Sequence, residues 1–133
     1  MSGEECFLDT NILVYLVGSD LAKAARSSQL IDAGGVVSVQ VLNEFVAVSV
    51  RKYRIEWSRI EFILSTVKAA CSVVPLTLQT HERGIALRQR YGFSVYDAMI
   101  VAAAELAGCS TLFTEDMHGG LVIGGLTLRN PYK

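Results

Sequence analysis

Cys6-Phe7-Leu8-Asp9-Thr10-Asn11 is an apolar triplet that breaks into three short polar residues. Asp, Thr and Asn favour helix starts, because their side chains accept from backbone N–H groups left open in a first turn. The stretch therefore reads as a short strand feeding directly into a helix, with Asp9 at the junction. The same grammar recurs along the chain. Val36–Ser38 is a second strand-like run, Val73-Val74-Pro75-Leu76 a third and Thr111-Leu112-Phe113 a fourth, and the tail Leu121–Leu128 supplies a fifth. Helix-like segments lie between them: Ile12–Val17, Leu21–Ala33 closing at Gly34-Gly35, one from Ser38 through about Tyr53, Trp57–Cys71, and Gln79–Tyr91 stopping at Gly92. A last one is capped by Ser94 and ends near Gly108. Strands separated by helices pair in parallel, since a parallel crossover needs a dozen residues or more. Right-handed crossovers then put helices on both faces. The expected fold class is α/β in three layers, a parallel sheet of about five strands flanked by helices.

The chain has 133 residues and a mass of 14.5 kDa, which suits one domain over 1–133. Hydrophobic residues make up 51% and mean hydropathy is +0.38, which excludes intrinsic disorder. The longest apolar run, Ala98–Ala104, is too short to cross a bilayer. Ile12–Val17 follows Asp9 rather than a basic segment and does not read as a signal peptide. A soluble protein is expected. Three cysteines, an odd number with no Cys-x-x-Cys, and only two histidines give no zinc-site spacing and point to a reducing cytoplasm. The phosphate loops of P-loop and dinucleotide-binding proteins are absent, as are Gly-x-Ser-x-Gly and the Asp-x-Asp of aspartyl-phosphate enzymes.

In open parallel sheets, ligands sit outside the carboxyl ends of the strands. Asp9 follows the first strand and Glu115-Asp116 the fourth. Asp97 opens a helix, three residues after Ser94. Glu44 lies on a helical stripe with Gln40, Asn43, Ala47 and Arg51. Each has an ordinary explanation: a cap for Asp9, a capping box for Asp97, a solvated face for Glu44, a polar turn for Glu115-Asp116. The combination weighs more than any member, because Asp9, Glu44, Asp97 and Asp116 can all point at one sheet edge. Carboxylates crowded there repel one another and call for a cation. Hard oxygen donors without a committed Cys or His favour Mg²⁺ or Mn²⁺ over zinc.

Four blocks, Phe7-Leu8-Asp9-Thr10-Asn11, Asn43-Glu44-Phe45, Tyr96-Asp97-Ala98-Met99-Ile100 and Thr114-Glu115-Asp116, resemble in order the signature blocks of PIN-domain ribonucleases. More narrowly, the chain is similar to the small VapC toxins of bacterial and archaeal toxin–antitoxin pairs. The resemblance implies an acidic pocket of Asp9, Glu44, Asp97 and Asp116 that binds one or two divalent ions, supported by Thr10, Asn11 and Thr114. It also implies cleavage of single-stranded or loop RNA to 5′-phosphate and 3′-hydroxyl ends. Asp9, Asp97 and Asp116 would ligate metal, and Glu44 would hold a second ion or orient a water. Asp116 is favoured over Glu115 because the family's acid falls two residues after the Thr. Met117-His118 departs from the aromatic that often follows. A homodimer and a cognate antitoxin that wraps the pocket are the implied protein partners.

Charge then becomes informative. The net charge is -1, but setting aside Asp9, Glu44, Asp97, Glu115 and Asp116 leaves eight acidic residues against 12 basic ones. The remaining surface is net basic, as a phosphate-backbone binder needs. Arg51, Lys52, Arg54, Arg83, Arg88 and Arg90 are candidate RNA contacts, each with a solvated helix face as its ordinary explanation. Two alternatives stand beside the toxin: a housekeeping PIN nuclease outside any toxin pair, and a non-catalytic PIN-like interaction module. The intact acidic quartet argues against the second. A short antitoxin reading frame immediately upstream would separate toxin from housekeeping enzyme.

Overall fold

The computed structural model describes residues 6–133. Along them run β1 (Cys6–Leu8), α1 (Thr10–Val14), α2 (Leu21–Asp32), β2 (Val36–Ser38), α3 (Val39–Arg51), α4 (Trp57–Ala70), β3 (Ser72–Val74) and α5 (Leu78–Tyr91). α6 (Val95–Leu106), β4 (Thr111–Phe113), β5 (Val122–Ile123) and β6 (Leu126–Arg129) complete the order. The strands form one sheet ordered β3-β2-β1-β4-β6-β5, flanked by helices in an α/β three-layer arrangement. β1 to β4 and β6 pair in parallel, and only β5 runs antiparallel, against β6.

The strand expected over Leu121–Leu128 is therefore a hairpin, and the sheet has six strands rather than five. Gly124-Gly125 separates its two strands, and Gly124 sits at φ +59°, a conformation that residues with a Cβ seldom adopt. The third strand also begins earlier than expected, at Ser72, and ends before Pro75, which has no N–H to give to a ladder.

The middle of the sheet explains the continuous apolar runs. β1 is flanked by β2 and β4, and all three of its residues are buried. A strand covered on both faces has no polar side to alternate with. Phe7, Leu8, Val37, Leu112 and Leu128 are almost wholly buried there, with Ile12, Phe45, Ile60, Leu87 and Ile100 packed in from the helices. α5 and α6 form a tight pair: a Cβ placed on Gly84 would lie 2.6 Å from the Met99 sulfur.

The sheet order reverses direction at β1. β2 and β3 extend to one side of it, while β4 and its partners lie on the other. Such a switch point opens a crevice at the carboxyl ends of the two strands that flank it. Here those strands are β1 and β4, in register Leu8↔Phe113, so the next residues in each, Asp9 and Thr114, stand side by side.

Candidate active site

Asp9 is both cap and pocket residue. Its Oδ1 accepts from the Thr10 N–H at 2.6 Å, opening α1. Its Oδ2 accepts from the Thr114 hydroxyl at 2.7 Å and from Asn11 Nδ2 at 3.3 Å. The residue is 3% exposed, and Thr114 is wholly buried. Thr114 also organises the loop after β4, since its Oγ1 accepts from the backbone N–H groups of Asp116 at 3.3 Å and Met117 at 3.4 Å. Asn11, in the first turn of α1, fastens the same loop. Its Nδ2 donates to Asp116 Oδ2 at 3.0 Å, and its Oδ1 accepts from the Glu115 N–H at 3.3 Å.

Glu44 reaches the crevice from α3, whose start Ser38 caps by accepting from the Val41 N–H. Hydrogen bonds from Gln40 and from Thr10 Oγ1, the latter at 3.3 Å, hold its carboxylate. Asp97 arrives on the first turn of α6, where Ser94 caps by accepting from the Asp97 N–H at 3.2 Å. Its side chain takes a further hydrogen bond from Ser94. All four expected carboxylates line one cavity of about 310 Å³, together with Thr10 and Asn11.

Glu115 borders that cavity too, but its carboxylate is already committed. Lys23 of α2 forms an ion pair with it, and the Tyr15 hydroxyl donates to it. Lys23 also donates to the Tyr15 hydroxyl at 3.1 Å and lies over the rings of Tyr15 and Tyr132. Nothing in the sequence singled out Lys23 or Tyr15, and Gln40 was read only as part of the stripe that carries Glu44. Lys23 and Tyr15 act by reaching across to a distant segment, and only proximity reveals such roles.

The basic candidates divide. Lys52 borders the acidic cavity, and Arg51 lines the groove beside it. Arg54 follows α3 in a left-handed conformation, φ 51°. Arg83 is held by Glu105 through Nε and Nη2 at 2.8 and 3.0 Å. Arg88 donates to the Phe93 carbonyl, and Arg90 lies over the Tyr91 ring. The three α5 arginines line neither cavity.

Electrostatics set the acidic cavity apart from an ordinary polar turn. Burial pushes the Asp9 carboxyl up to about 7, against the hydrogen bonds from Thr114 and Thr10 and with added repulsion from Asp97 and Glu44. Glu44 is raised by burial and by the Asp97 charge, and Asp97 by burial and by the Asp116 charge. For Glu115 burial acts upward, but the hydrogen bonds from Lys23 and Tyr15 outweigh it and leave its carboxyl below the usual range. Among the described residues no Lys or Arg forms an ion pair with Asp9, Glu44, Asp97 or Asp116. A buried Asp9, half-buried Glu44 and Asp97 and an exposed Asp116, clustered without a basic partner among the described residues, suit a cation.

Among the described residues no three Asp, Glu, His or Cys side chains converge into a ready-made metal cage. Mg²⁺ keeps several of its waters and takes one or two carboxylates directly. The donors are all oxygen, which fits the same class of hard cation.

A family model for the PIN domain matches residues 6–118. The chain belongs to the PIN domain family. Among solved structures, this PIN domain is similar to a toxin–antitoxin complex from Klebsiella pneumoniae, with 28% identity, 96% of this chain and 98% of that chain covered, and a TM-score of 0.72. It also shares its fold with the Mycobacterium tuberculosis toxin VapC20, which cleaves the sarcin–ricin loop, at 19% identity over 84% and 89% of the two chains and a TM-score of 0.69. A third similar fold is VapBC2 from Rickettsia felis bound to a DNA fragment from its promoter, at 21% identity over 94% and 97% and a TM-score of 0.66. None of the curated proteins matches the chain. No helix among the described residues is long and apolar enough to cross a membrane.

Proposed function

We propose that this PIN domain is an Mg²⁺- or Mn²⁺-dependent endoribonuclease, and that it is the toxin of a toxin–antitoxin pair. One observation carries the reading: four carboxylates from four separate elements line one cavity at the switch point of the sheet, without a basic partner among the described residues. Four side chains brought together from positions 9, 44, 97 and 116 are not a by-product of local capping. The toxin assignment is supported by the 28% identical Klebsiella structure, a toxin–antitoxin complex matched over nearly its whole length.

Asp9, Asp97 and Asp116 would hold the metal, directly or through its waters, and Glu44 would hold a second ion or orient a water. A bound divalent ion supplies positive charge to a phosphodiester and lowers the pKa of its water. The chain's own part is to fix the donors before substrate arrives. Thr114 and Thr10 lock the Asp9 carboxylate, leaving acceptor capacity on Oδ1 free. Asn11 ties Asp9 to Asp116, joining the donors that follow β1 and β4. Gln40 and Thr10 keep Glu44 turned toward the cavity. Lys52 at the rim offers charge to an incoming phosphate. The products would be 5′-phosphate and 3′-hydroxyl ends, made in the cytoplasm. A homodimer and a cognate antitoxin complete the proposal.

Expression alone tests it. The protein should slow growth and cut RNA, and Asp9→Asn or Asp97→Asn should abolish both effects while keeping side-chain shape. The purified parent should lose cleavage in EDTA and regain it with Mg²⁺ or Mn²⁺. Undiminished metal-dependent cleavage by Asp97→Asn would sink the site assignment.

A further inference from the structure

We infer that the groove beside the acidic cavity, between α3 and the start of α6, is a subsite for one unpaired RNA nucleotide whose base stacks on Tyr96. This rests on the nuclease reading above and names where the substrate is gripped. The groove holds about 570 Å³, within the range of small-ligand sites. Glu44, Val48 and Lys52 line both it and the acidic cavity, so the two are continuous. A nucleotide seated in the groove therefore neighbours a phosphate at the carboxylates.

The groove's lining is unusual for what it leaves uncommitted. Tyr96, immediately before Asp97, is 63% exposed and has no ring or hydrogen-bond partner among the described residues. A large aromatic side chain held in water with an open face is what base stacking uses. Asn43 presents an exposed carboxamide, which carries both a donor and an acceptor for a base edge. Among the described residues Arg51 has no carboxylate partner, and Lys52 lies over the Tyr53 ring at 5.5 Å without one. Lys23, Arg83 and Arg88, by contrast, are engaged by Glu115, Glu105 and the Phe93 carbonyl. Aromatic face, amide and two open cations thus meet in one groove beside the carboxylates.

Stacking on Tyr96 requires a base with a free face, so the substrate class is single-stranded or looped RNA rather than a continuous duplex. Stacking sets affinity for any base, and Asn43 sets preference among bases. Arg51 and Lys52 act on the backbone and carry no sequence information.

The test measures binding in Mg²⁺ by the Asp116→Asn protein, with labelled oligouridylate, oligoadenylate and oligocytidylate and an RNA duplex of equal length. Cleavage by the parent is followed in parallel. Tyr96→Ala should weaken all three single strands about tenfold, and Tyr96→Phe should restore binding. Asn43→Ala should change the ranking of the three strands. Arg51→Gln and Lys52→Gln should weaken all of them and lower the salt slope by about 0.7 each. Thermal melts should match the parent for Tyr96→Ala, since the ring is exposed. Single-strand affinity unchanged by Tyr96→Ala, or a duplex bound as tightly as a single strand, overturns the subsite and leaves the groove as a face for a protein partner. Loss in Tyr96→Phe equal to that in Tyr96→Ala overturns stacking. A parent that cuts no RNA defeats the nuclease reading itself, a result distinct from all of these.

Discussion

Asp116 and Glu115 are neighbours with opposite commitments. Asp116 faces the cavity on a hydrogen bond from Asn11, while Glu115 is clamped by Lys23 and Tyr15. Asp116→Asn should therefore lose at least tenfold in cleavage rate, about 1.4 kcal/mol of transition-state stabilisation. Glu115→Gln should stay within a few-fold of the parent and cost stability only about 0.2–1 kcal/mol, because the ion pair is partly exposed. Cleavage assays that show the reverse order would reassign the last acid. Asp9 gives a second residue-scale prediction. Its folded pKa is raised from 3.8 to about 7, so between those values the folded state holds a proton that the unfolded chain has lost. The stabilisation is complete below the lower value and disappears as pH rises through the upper one, an effect on the order of 4 kcal/mol. Urea unfolding in EDTA at pH 5 and pH 8 should show the parent weaker at the higher pH and Asp9→Asn much less sensitive. Equal pH slopes would mean that burial does not perturb Asp9. The convergence of the four acids was legible in the sequence because Asp9 and Asp116 follow strands, Asp97 opens a helix and Glu44 lies on the polar stripe of α3. The clamp on Glu115 was not, because Lys23 has no local signature and joins a residue 92 positions away.

Elements were legible where local chemistry agrees with burial. β1, β2 and β4 were read to the residue from short strand-like runs followed or closed by cap-forming or polar residues, and α6 from Ser94. The tail was not, since an apolar run interrupted by Gly-Gly reads as one weakened strand until a partner exists to pair both halves. α1 begins at Thr10, earlier than its apolar residues suggest, because Asp9 caps it at once. The spacing between α5 and α6 was equally invisible, because Gly84 reads as a helix-weakening residue until Met99 is seen against it. Gly84→Ala should overpack that contact, since buried Met99 has little room to withdraw. The expected cost is about 1–3 kcal/mol in urea unfolding. A stability equal to the parent's would show that the Met99 side chain simply moves aside.

At the scale of the whole molecule, the proposed metal site would couple metal binding to folding. Mg²⁺ bound only to the folded state stabilises it by RT ln(1 + [L]/Kd), so roughly 10 mM over a Kd on the order of 1 mM adds about 1.4 kcal/mol. Melting should rise by about 3–6 °C. Asp97→Asn should melt at or above the parent in EDTA and lose most of the Mg²⁺ response. The Ser94 cap survives that change because it uses the backbone N–H of residue 97. Equal Mg²⁺ responses in both proteins would leave Asp97 as a helix-start residue alone. The sheet order that makes this coupling global also sets a timetable. Asp9 reaches its place only when Thr114, 105 positions later, pairs beside it, and the two are sealed by β6, where the Arg129 carbonyl accepts from the Thr114 N–H. A growing polypeptide that has emerged from the ribosome only as far as α5 carries Asp9 and Glu44 but neither Asp97 nor Asp116. Translation can thus proceed through most of the chain beside the cell's own RNA before the four carboxylates of the proposed centre can meet.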